Sequence, residues 1–408
     1  MTIETAEFLI SEKGKALLSE LSYLTEDEAN KFLLNNHKKP FMADVITLVL
    51  LRKKAETKFS KAQYMYFTRE GLEQATNEKL SDYLVDQLNL RTRISTVIDI
   101  GCGIGGNLLS FAKKFNVVAI DNDPIHLMFA KENASVYGVD KKINFIHEEA
   151  ENFLESHQSP DDSMVFFLDP QRMREGKTKT RSLFNTSPKI DKLLPQIFKV
   201  SNKLFIKISP AFDYEEIKML SDSPEIEVVS EDNVNKLAIL WFKELKKTER
   251  RATCIIEEQV FSFRSDDTED VRKAPMIENL KTGDYIFEPN IAIIKAHLMN
   301  TVALEFQMYR LNEKIGFLAN NKLPDIKVQK LFRIFKIIEI FSSLRNLKKR
   351  MNELSIKRAD ITTRGFFIKP DDIRKKLKLK EGGEHVIIST RLKKEESIHI
   401  LTTKKISL

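Results

Sequence analysis

The stretch VIDIGCGIGGN, from Val97 to Asn107, decides the fold of this chain. Gly101, Gly103 and Gly106 satisfy the dinucleotide-binding fingerprint G-x-G-x-x-G. A strand-like apolar run precedes the glycines and a helical run, NLLSFAKKF, follows them. Glycines at such a junction let the backbone turn sharply and pass close to a ligand. The stretch therefore predicts nucleotide binding at a strand-to-helix turn.

Short β-rich runs alternate with helical segments on both sides of this turn. The predicted strands are Thr96–Ile100, Val117–Ile120, Ile143–Ile146, Met164–Leu168 and Leu204–Ile208. This alternation is typical of βαβ units and a parallel sheet. Two further runs, EIEVVS and KLAILWF, are separated by a short polar turn and are expected to close the sheet as an antiparallel edge pair.

The pattern predicts four regions along the 408 residues. Residues 1–92 form a helical N-terminal region, and residues 93–246 form an α/β domain with a Rossmann-like sheet. Residues 247–281 form a β-arm and a charged linker. Residues 282–408 begin with a helical segment, GDYIFEPNIAIIKAHL, and continue as a small α+β domain of order βαβαββ.

The net charge of +7 is unevenly distributed. Residues 331–408 contain 20 Lys and Arg against 9 Asp and Glu, a local excess of +11, which leaves −4 for the first 330 residues. Such asymmetry indicates a surface for a polyanion such as RNA, and a merely solvated lysine-rich surface is the alternative. The candidate phosphate contacts lie in two runs expected to be helical, LRNLKKR and IRKKLKLK: Arg345, Lys348, Lys349, Lys375 and Lys376.

The cysteines, the apolar runs and the histidines indicate the compartment and argue against a membrane span and a metal site. Two cysteines, Cys102 and Cys254, imply no disulfide framework and a reducing compartment. The N-terminal residues do not form a secretory signal, and the longest apolar run, Val45–Leu51, is too short to span a bilayer. The histidines do not have metal-ligand spacing. We expect a cytoplasmic protein with neither a membrane nor a metal partner.

Two acids distinguish between the cofactors that the glycine loop could hold. Asp121 follows Gly101 by 20 residues, where an acid can accept hydrogen bonds from both ribose hydroxyls. Asp99 lies just before the first glycine, where it would repel a pyrophosphate. An acid there suits a cationic group instead, such as the amino group and sulfonium of S-adenosylmethionine. A dehydrogenase is therefore the least favoured interpretation.

The pattern DIGCGIGGN followed by VVAIDNDP resembles motif I and the second-strand motif of class I S-adenosylmethionine-dependent methyltransferases. The RNA-cap guanine-N2 type is especially similar. The resemblance implies that four residues surround the methionine moiety of the cofactor: Asp99, Gly101, Gly103 and Gly105. It also implies that Asp121 meets the ribose and that Glu149 and Ala150 neighbour the adenine. Cys102 and Asn122 adjoin these positions and are assigned to the same cofactor-binding set. For Cys102, a small residue in a tight turn is favoured over a nucleophile.

VFFLDPQRMREG ends the fourth predicted strand, where open α/β sheets carry their chemistry. Amino-methylating enzymes commonly have an acid or amide, two prolines and an aromatic here. Asp169 and Pro170 match the first two positions, whereas Gln171 and Arg172 replace the second proline and the aromatic. Asp169, Pro170 and Arg172 are the candidate catalytic residues. Arg172 would stack on a base or neutralise a phosphate, and the alternative for Asp169 is capping of the following loop.

Lys207 and Ser209 end the fifth predicted strand and are candidate substrate contacts. FTREGLEQAT, with Thr68 as a helix cap, either covers the cofactor pocket or only packs against it.

Further segments extend the resemblance to about residues 40–408. They are FTREGLEQAT, LDPQR with Ser187-Pro188, LFIKISPAFD, YIFEPNIAIIKA, ADITTRGF and IRKKLKLKEGG. In this order they resemble the class I methyltransferase family that bears a THUMP-like C-terminal domain. The resemblance implies an S-adenosylmethionine-dependent methyltransferase that acts on tRNA or rRNA, at a base nitrogen. A small-molecule or protein methyltransferase and a non-catalytic RNA-binding protein are the alternatives.

Overall fold

The computed structural model describes residues 1–175, 178–179, 182–266, 273–392 and 396–403. Side chains are described for these residues except within 174–181. The chain forms two compact units. Unit 1 comprises Met1–Pro224 with Leu240–Lys247, and unit 2 comprises Glu225–Ile239 with Thr248–Leu408. The helices of residues 1–92 thus share a unit with the parallel sheet. The four region boundaries stay predictions.

The N-terminal region is helical, as predicted. Its helices are α1 Ile3–Ile10, α2 Glu12–Leu21, α3 Glu26–Asn36, α4 Met42–Ala55, α5 Arg69–Gln74 and α6 Glu78–Arg91. Apolar side chains of α4, such as Val45 and Ile46, are buried in one core with Ile104 of the glycine loop and Phe129. This shared core fixes the N-terminal helices beside the loop.

The parallel sheet of unit 1 contains the five predicted strands. Unit 1 has the strands β1 Thr96–Ile100, β2 Asn116–Asp121, β3 Ile143–His147, β4 Met164–Leu168, β5 Gln171–Arg172, β6 Arg174–Glu175, β7 Thr178–Lys179, β8 Thr186–Ser187 and β9 Lys203–Ile208. Its remaining helices are α7 Leu108–Lys114, α8 Pro124–Tyr137, α9 Ala150–Ser156, α10 Ile190–Val200 and α11 Tyr214–Lys218. The strand order is β9-β4-β1-β2-β3, and all these pairs are parallel. The Rossmann-like prediction is confirmed.

The order of the strands along the sheet reverses at β1. β1 pairs with β2 on one side and with β4 on the other, so that Ile100 is opposite both Ile120 and Leu168. The carboxyl ends of the three strands therefore lie together. Ligands bind at such a switch point in open α/β sheets.

From residue 225 onward the strands are β10 Glu225–Glu231, β11 Val234–Lys243, β12 Arg250–Ile256, β13 Gln259–Ser265, β14 Tyr285–Pro289, β15 Tyr309–Arg310, β16 Leu318–Asn320, β17 Phe332–Phe341, β18 Asp360–Thr363, β19 His385–Arg391 and β20 Ser397–Thr403. The helices are α12 Ile291–Lys295, α13 Met299–Glu305, α14 Ile326–Gln329, α15 Leu344–Glu353 and α16 Pro370–Leu377. One sheet of unit 2 has the order β15-β16-β14-β17-β20-β19-β18. From β17 to β20 the elements follow the predicted order βαβαββ.

Two predictions of local structure are wrong in part. The sequence predicts β10 in an edge pair, but it pairs in parallel with β12, with Ile226 opposite Arg250. Because β10 is buried along most of its length, its backbone needs partners that an edge would not supply. The segment 283–298 is predicted to be helical, but its first half is β14 and the helix begins only after Asn290, whose side chain accepts from the Ala292 N–H.

Among the residues that the structure describes, none of the helices combines the length and the apolar composition needed to cross a bilayer.

Candidate functional site

The glycine loop begins at the end of β1 and leads into α7. Gly101 and Gly103 have φ angles of 77° and 54°, which residues with a side chain rarely adopt. A Cβ atom at either glycine would enter open space, with no atom within 4 Å. The Gly101 N–H donates to the Ile120 carbonyl at 2.8 Å, which ties the loop to β2. The loop therefore presents bare backbone to the space above the sheet.

Gly105 lies on the other side of the same loop. Its φ angle is 94°, and a Cβ atom there would contact Leu108 at 3.5 Å and Ala130 at 3.7 Å. The structure places Gly105 against helices α7 and α8, whereas Gly101 and Gly103 line the open space.

Asp121 holds the glycine loop from the end of β2. Its carboxylate accepts hydrogen bonds from the N–H groups of Gly103, at 2.7 Å, and Asp123, at 3.0 Å. His126 Nδ1 lies 3.6 Å from the same carboxylate. Burial raises the pKa of Asp121, but His126 and the two N–H donors outweigh burial and hold the pKa below its ordinary value. Burial lowers the pKa of His126, but the two aspartates outweigh it and raise the pKa above its ordinary value.

Asp99 is more deeply buried than Asp121, with 2% of its surface exposed against 8%. Burial raises its pKa well above the ordinary value, and the carboxylates of Asp169 and Asp121 raise it further. A cation bound beside Asp99 would favour its ionised form. Burial and Asp99 also raise the pKa of the Cys102 thiol, which favours its interpretation as a small residue in a tight turn.

Asn122 and Glu149 form a second polar pair at the ends of β2 and β3. Asn122 Nδ2 donates to both Glu149 carboxylate oxygens, at 3.0 Å and 3.2 Å. Ala150 begins α9 and is buried beside them. These three residues line one wall of the same open space.

Asp169 follows β4 and forms an ion pair with Lys207 of the neighbouring strand β9. Lys207 Nζ also donates to the Thr76 hydroxyl at 2.8 Å. The exposed fraction is 13% for the Lys207 side chain and 27% for that of Asp169, so the ammonium lies deeper than the carboxylate. Lys207, a predicted substrate contact, is therefore a direct partner of Asp169.

The residues after Asp169 are fixed by a short β-ladder. Gln171 and Arg172 form β5 and lie opposite Ser187 and Thr186 of β8. Pro170 joins this ladder to Asp169, and Arg172 is half-buried. This pairing holds the segment above the end of β4.

Ser209, the other predicted substrate contact on β9, shapes the turn that follows the strand. Its hydroxyl accepts from the Ala211 N–H at 3.3 Å, and its carbonyl accepts from the Phe212 N–H at 3.1 Å.

The FTREGLEQAT segment reaches the same place from the N-terminal region. The Thr68 hydroxyl accepts from the Gly71 N–H at 2.9 Å, which confirms the predicted helix cap. Glu70 accepts hydrogen bonds from Gln74, at 3.2 Å, and from Gln171, at 2.6 Å. The segment is thus joined to the DPQR motif, which supports the interpretation that it covers the pocket.

These segments enclose a cavity of about 1080 Å³ within unit 1. Seven predicted site residues line it: Gly101, Gly103, Asp121, Asn122, Glu149, Ala150 and Asp169. Among its charged lining residues, acids outnumber cations: Asp44, Glu70, Asp121, Asp123, Glu148, Glu149, Glu151 and Asp169. The size suits a nucleoside-sized ligand with room for part of a second molecule. The acids favour a ligand that carries positive charge.

Several lining residues were missed by sequence reasoning. His126 stands three residues after Asp123, the N-cap of α8, so helical spacing could have placed it near the end of β2. Met173, Lys189 and Lys192 carry no local signal, because only the tertiary fold brings their segments to the cavity. Arg69 belongs to FTREGLEQAT, for which one of the two predicted roles is to cover the pocket.

The predicted phosphate contacts are on α15 and α16 in unit 2. Leu347 of α15 and Ile373 of α16 are buried in one core cluster with Ile387 and Leu401 of the sheet. Arg345, Lys349, Lys375 and Lys376 are exposed, as predicted. Lys348 differs, because its Nζ donates to the Lys376 carbonyl at 2.8 Å and so ties the two helices together.

Two family models match this chain. The model for RNA cap guanine-N2 methyltransferases matches residues 94–207, which include the glycine loop and Lys207. The model for THUMP domain-like sequences matches residues 332–404, which include α15 and α16. The resemblance inferred from the motifs is thereby confirmed for both regions. Within the described residues, no group of three or more His, Cys, Asp or Glu side chains is arranged to hold a metal ion.

Curated relatives extend the similarity over most of the chain. Two proteins from Mycobacterium tuberculosis strains, described as S-adenosylmethionine-dependent methyltransferases, are 24% identical over 360 residues, which are 85% of this chain and 92% of each relative. Trimethylguanosine synthase from Schizosaccharomyces pombe is 33% identical over 117 residues, which are 28% of this chain and 46% of that protein. The crystal structure of a candidate methyltransferase from Porphyromonas gingivalis W83 has a TM-score of 0.77 and 19% identity, and it covers 98% of this chain and 100% of its own. The fold is therefore shared over 98% of this chain.

Proposed function

We propose that this S-adenosylmethionine-dependent methyltransferase acts on structured RNA, either tRNA or rRNA, and methylates a base nitrogen. The observation that carries the proposal is the position of Asp169. Asp169 lines the same cavity as Gly101 and Gly103, and Lys207 forms an ion pair with its carboxylate. A hydrogen-bond acceptor at this place is suited to orient an amine toward a methyl donor bound on the loop.

The cavity fits the cofactor by the chemistry of its lining. The open backbone at Gly101 and Gly103 leaves room for close approach, and Asp99 suits the cationic end of the molecule. Asp121 and Glu149 would meet the ribose and the adenine edge. When bound, S-adenosylmethionine supplies an electrophilic methyl group on its sulfonium.

Asp169 and its neighbours would select and orient the target nitrogen. The carboxylate accepts a hydrogen bond from the target N–H, so that the nitrogen lone pair is directed at the glycine loop. Lys207 also donates a hydrogen bond to the Thr76 hydroxyl, which fixes the ammonium and so keeps the Asp169 carboxylate in one orientation. The aromatic residue common in amino-methylating enzymes is replaced by Arg172, whose guanidinium can stack on a base or contact a phosphate.

The charge of the C-terminal region supports RNA as the substrate class. The excess of +11 in residues 331–408 includes the exposed cations of α15 and α16. The name of trimethylguanosine synthase refers to a methylated nucleoside, and the family model for residues 94–207 refers to RNA. A cytoplasmic location is part of the proposal, because Cys102 and Cys254 are both free and buried.

Methyl transfer from radiolabelled cofactor tests the proposal. Total RNA from a deletion strain, total protein and a small-molecule extract are each incubated with the full-length protein. We expect label in RNA, and mass spectrometry of nucleosides from deletion and wild-type strains then identifies the methylated base. Label only in protein or in the extract would support the alternative methyltransferase classes. RNA binding without label in any fraction would favour a non-catalytic RNA-binding protein.

A further inference from the structure

We propose that Met173 and three cations, Arg69, Lys189 and Lys192, form the nucleotide-binding end of the cavity. The Met173 thioether would cover the flat face of the target base, and the cations would hold the phosphates on either side of it. This inference rests on the proposed action on RNA and adds how the target nucleotide is held.

Met173 is an apolar side chain exposed at a place where a ligand is expected. It lines the cavity, yet 48% of its surface is exposed. Its backbone is fixed, since the Met173 N–H donates to the Asn185 carbonyl at 3.0 Å beside the β5–β8 ladder. Covering an exposed large apolar side chain with a ligand gains free energy, because apolar surface leaves water.

Met173 also stands close in sequence to the missing aromatic. The DPQR motif has Arg172 where amino-methylating enzymes have a ring, and Met173 is the next residue. A thioether is polarizable and makes favourable contacts with aromatic rings. It can therefore cover a purine or pyrimidine face in place of the ring.

The three cations line the cavity from other elements than the acids at the ends of β2 and β3, although Arg69 has Glu70 beside it in sequence. Many lining acids follow β2 and β3: Asp121, Asp123, Glu148, Glu149 and Glu151. Arg69 belongs to α5, whereas Lys189 and Lys192 belong to the start of α10, close in sequence to β8. Within the described ranges, none of these three side chains forms an ion pair with a carboxylate. They are therefore available for an anionic ligand.

An apolar base contact combined with unpaired cations defines the ligand class. A free nucleobase would use Met173 alone, and an acidic peptide would use the cations alone. A nucleotide within a strand uses both, because its base is flat and its phosphates are anionic. A nucleotide that enters this cavity must be unpaired or turned out of its helix, as for other enzymes that modify bases.

The test uses the full-length protein, labelled cofactor and total RNA from a deletion strain. The variants are Met173→Ala, Met173→Leu and the double variant Lys189→Gln with Lys192→Gln. Matched controls are Met219→Ala, a methionine with 73% exposure after α11, and the exposed pair Lys38→Gln with Lys39→Gln. Cofactor Kd is measured by calorimetry for every variant and should match the wild type, which also shows that each variant is folded.

We expect Met173→Ala to raise the KM for RNA about tenfold and Met173→Leu to restore most of the loss. The double lysine variant should lower kcat/KM for RNA, and the slope of log kcat/KM against log salt should fall by about one for each phosphate that is no longer neutralised. The controls should behave as the wild type. Variants that match the controls, while the wild type methylates RNA, would overturn the nucleotide-binding end alone. A wild type that methylates protein or small molecules but not RNA would overturn both proposals.

Discussion

Lys207 pairs with Asp169 across two neighbouring parallel strands, and the ammonium is the more deeply buried partner. The Thr76 hydroxyl, at 2.8 Å, holds the same ammonium from the N-terminal region. One cation thereby connects the FTREGLEQAT segment, the end of β9 and the carboxylate at the cavity. This arrangement makes separate predictions for the acid, for its partner and for the loop beside them.

Replacing Asp169 should separate chemistry from cofactor binding. Asp169→Ala removes the acceptor altogether, whereas an amide at this position could still accept a hydrogen bond from the target N–H. We expect methyl transfer to fall by about 100-fold or more, as when a positioned catalytic group is removed. Cofactor affinity by calorimetry should stay near the wild-type value, since the glycine loop is intact. An undiminished rate on the true substrate would exclude a catalytic role for Asp169.

Replacing Lys207 should reveal the cost of leaving Asp169 without its partner. Lys207→Met should lower the free energy of unfolding by about 1–3 kcal/mol, because a largely buried carboxylate loses its donor. The double variant Lys207→Met with Asp169→Ala removes both partners and should be destabilised less than Lys207→Met alone. Urea denaturation of the wild type, the two single variants and the double variant provides the comparison. Additive effects in the double variant would contradict a direct ion pair.

Asp121 is expected to affect cofactor affinity through the loop as well as by direct contact. Asp121→Ala removes the acceptor for the Gly103 N–H, so that the loop loses this tie but keeps its backbone bonds to Ile120. Removing a hydrogen bond to a charged group costs about 1.5–3 kcal/mol, which corresponds to a Kd about 10- to 100-fold higher.

Asp140→Ala, at an exposed position, is the matched control for Asp121→Ala and should bind the cofactor normally. Calorimetry with S-adenosylmethionine and with NADH decides the assignment. Tighter binding of NADH would overturn it.

The pair of His126 and Asp121 predicts opposite responses to pH. The folded-state pKa of His126 lies above 6.5, so its contribution to stability is complete below pH 6.5 and is lost as pH rises through the folded-state value. The folded-state pKa of Asp121 lies below 3.8, so its contribution is present above pH 3.8 and is lost as pH falls through the folded-state value.

His126→Gln should therefore remove the decline in thermal stability of the wild type as pH rises above 6.5. Melting temperatures of both proteins between about pH 5 and 9 measure this difference. Parallel profiles for the two proteins would show that His126 does not titrate against the aspartates.

The exposed cations of α15 and α16 should determine how RNA affinity depends on salt. Deletion of residues 331–408 would remove β17, which pairs with β14, and so would disrupt the sheet of unit 2. Point variants are therefore the sharper test. The quadruple glutamine variant replaces Arg345, Lys349, Lys375 and Lys376. Its slope of log affinity against log salt should be shallower by about 0.7–0.9 for each phosphate that these side chains neutralise in the wild type.

A control with the same change of charge replaces other exposed lysines of unit 2 by glutamine: Lys281, Lys314, Lys322 and Lys327. Filter binding of labelled total RNA across a salt series compares the two variants. Equal slopes would mean that α15 and α16 contribute only general charge.

The local pattern of the sequence determined the elements of the sheet and the loop at its centre. The strands from β1 to β4 and β9 follow from apolar runs, and the loop follows from glycines that must adopt positive φ. Helix caps at Thr68 and Asn290 are also local, but the sequence revealed only the first. The sequence predicts helix where the strand Tyr285–Pro289 lies, because short apolar runs have no decisive period.

Only the tertiary structure decided which charged side chains form ion pairs and which residues line the cavity. Sequence spacing placed Lys207 and Asp169 at strand ends, yet the pairing of β9 with β4 turned a predicted substrate contact into a partner of the acid. Met173 and Lys189 carry no signal of their own, and they line the cavity only because β5 and β8 pair. Periodicity and backbone conformation are properties of neighbouring residues and can be deduced from them. A contact between side chains far apart in sequence depends on the whole packing, and here that packing builds the site.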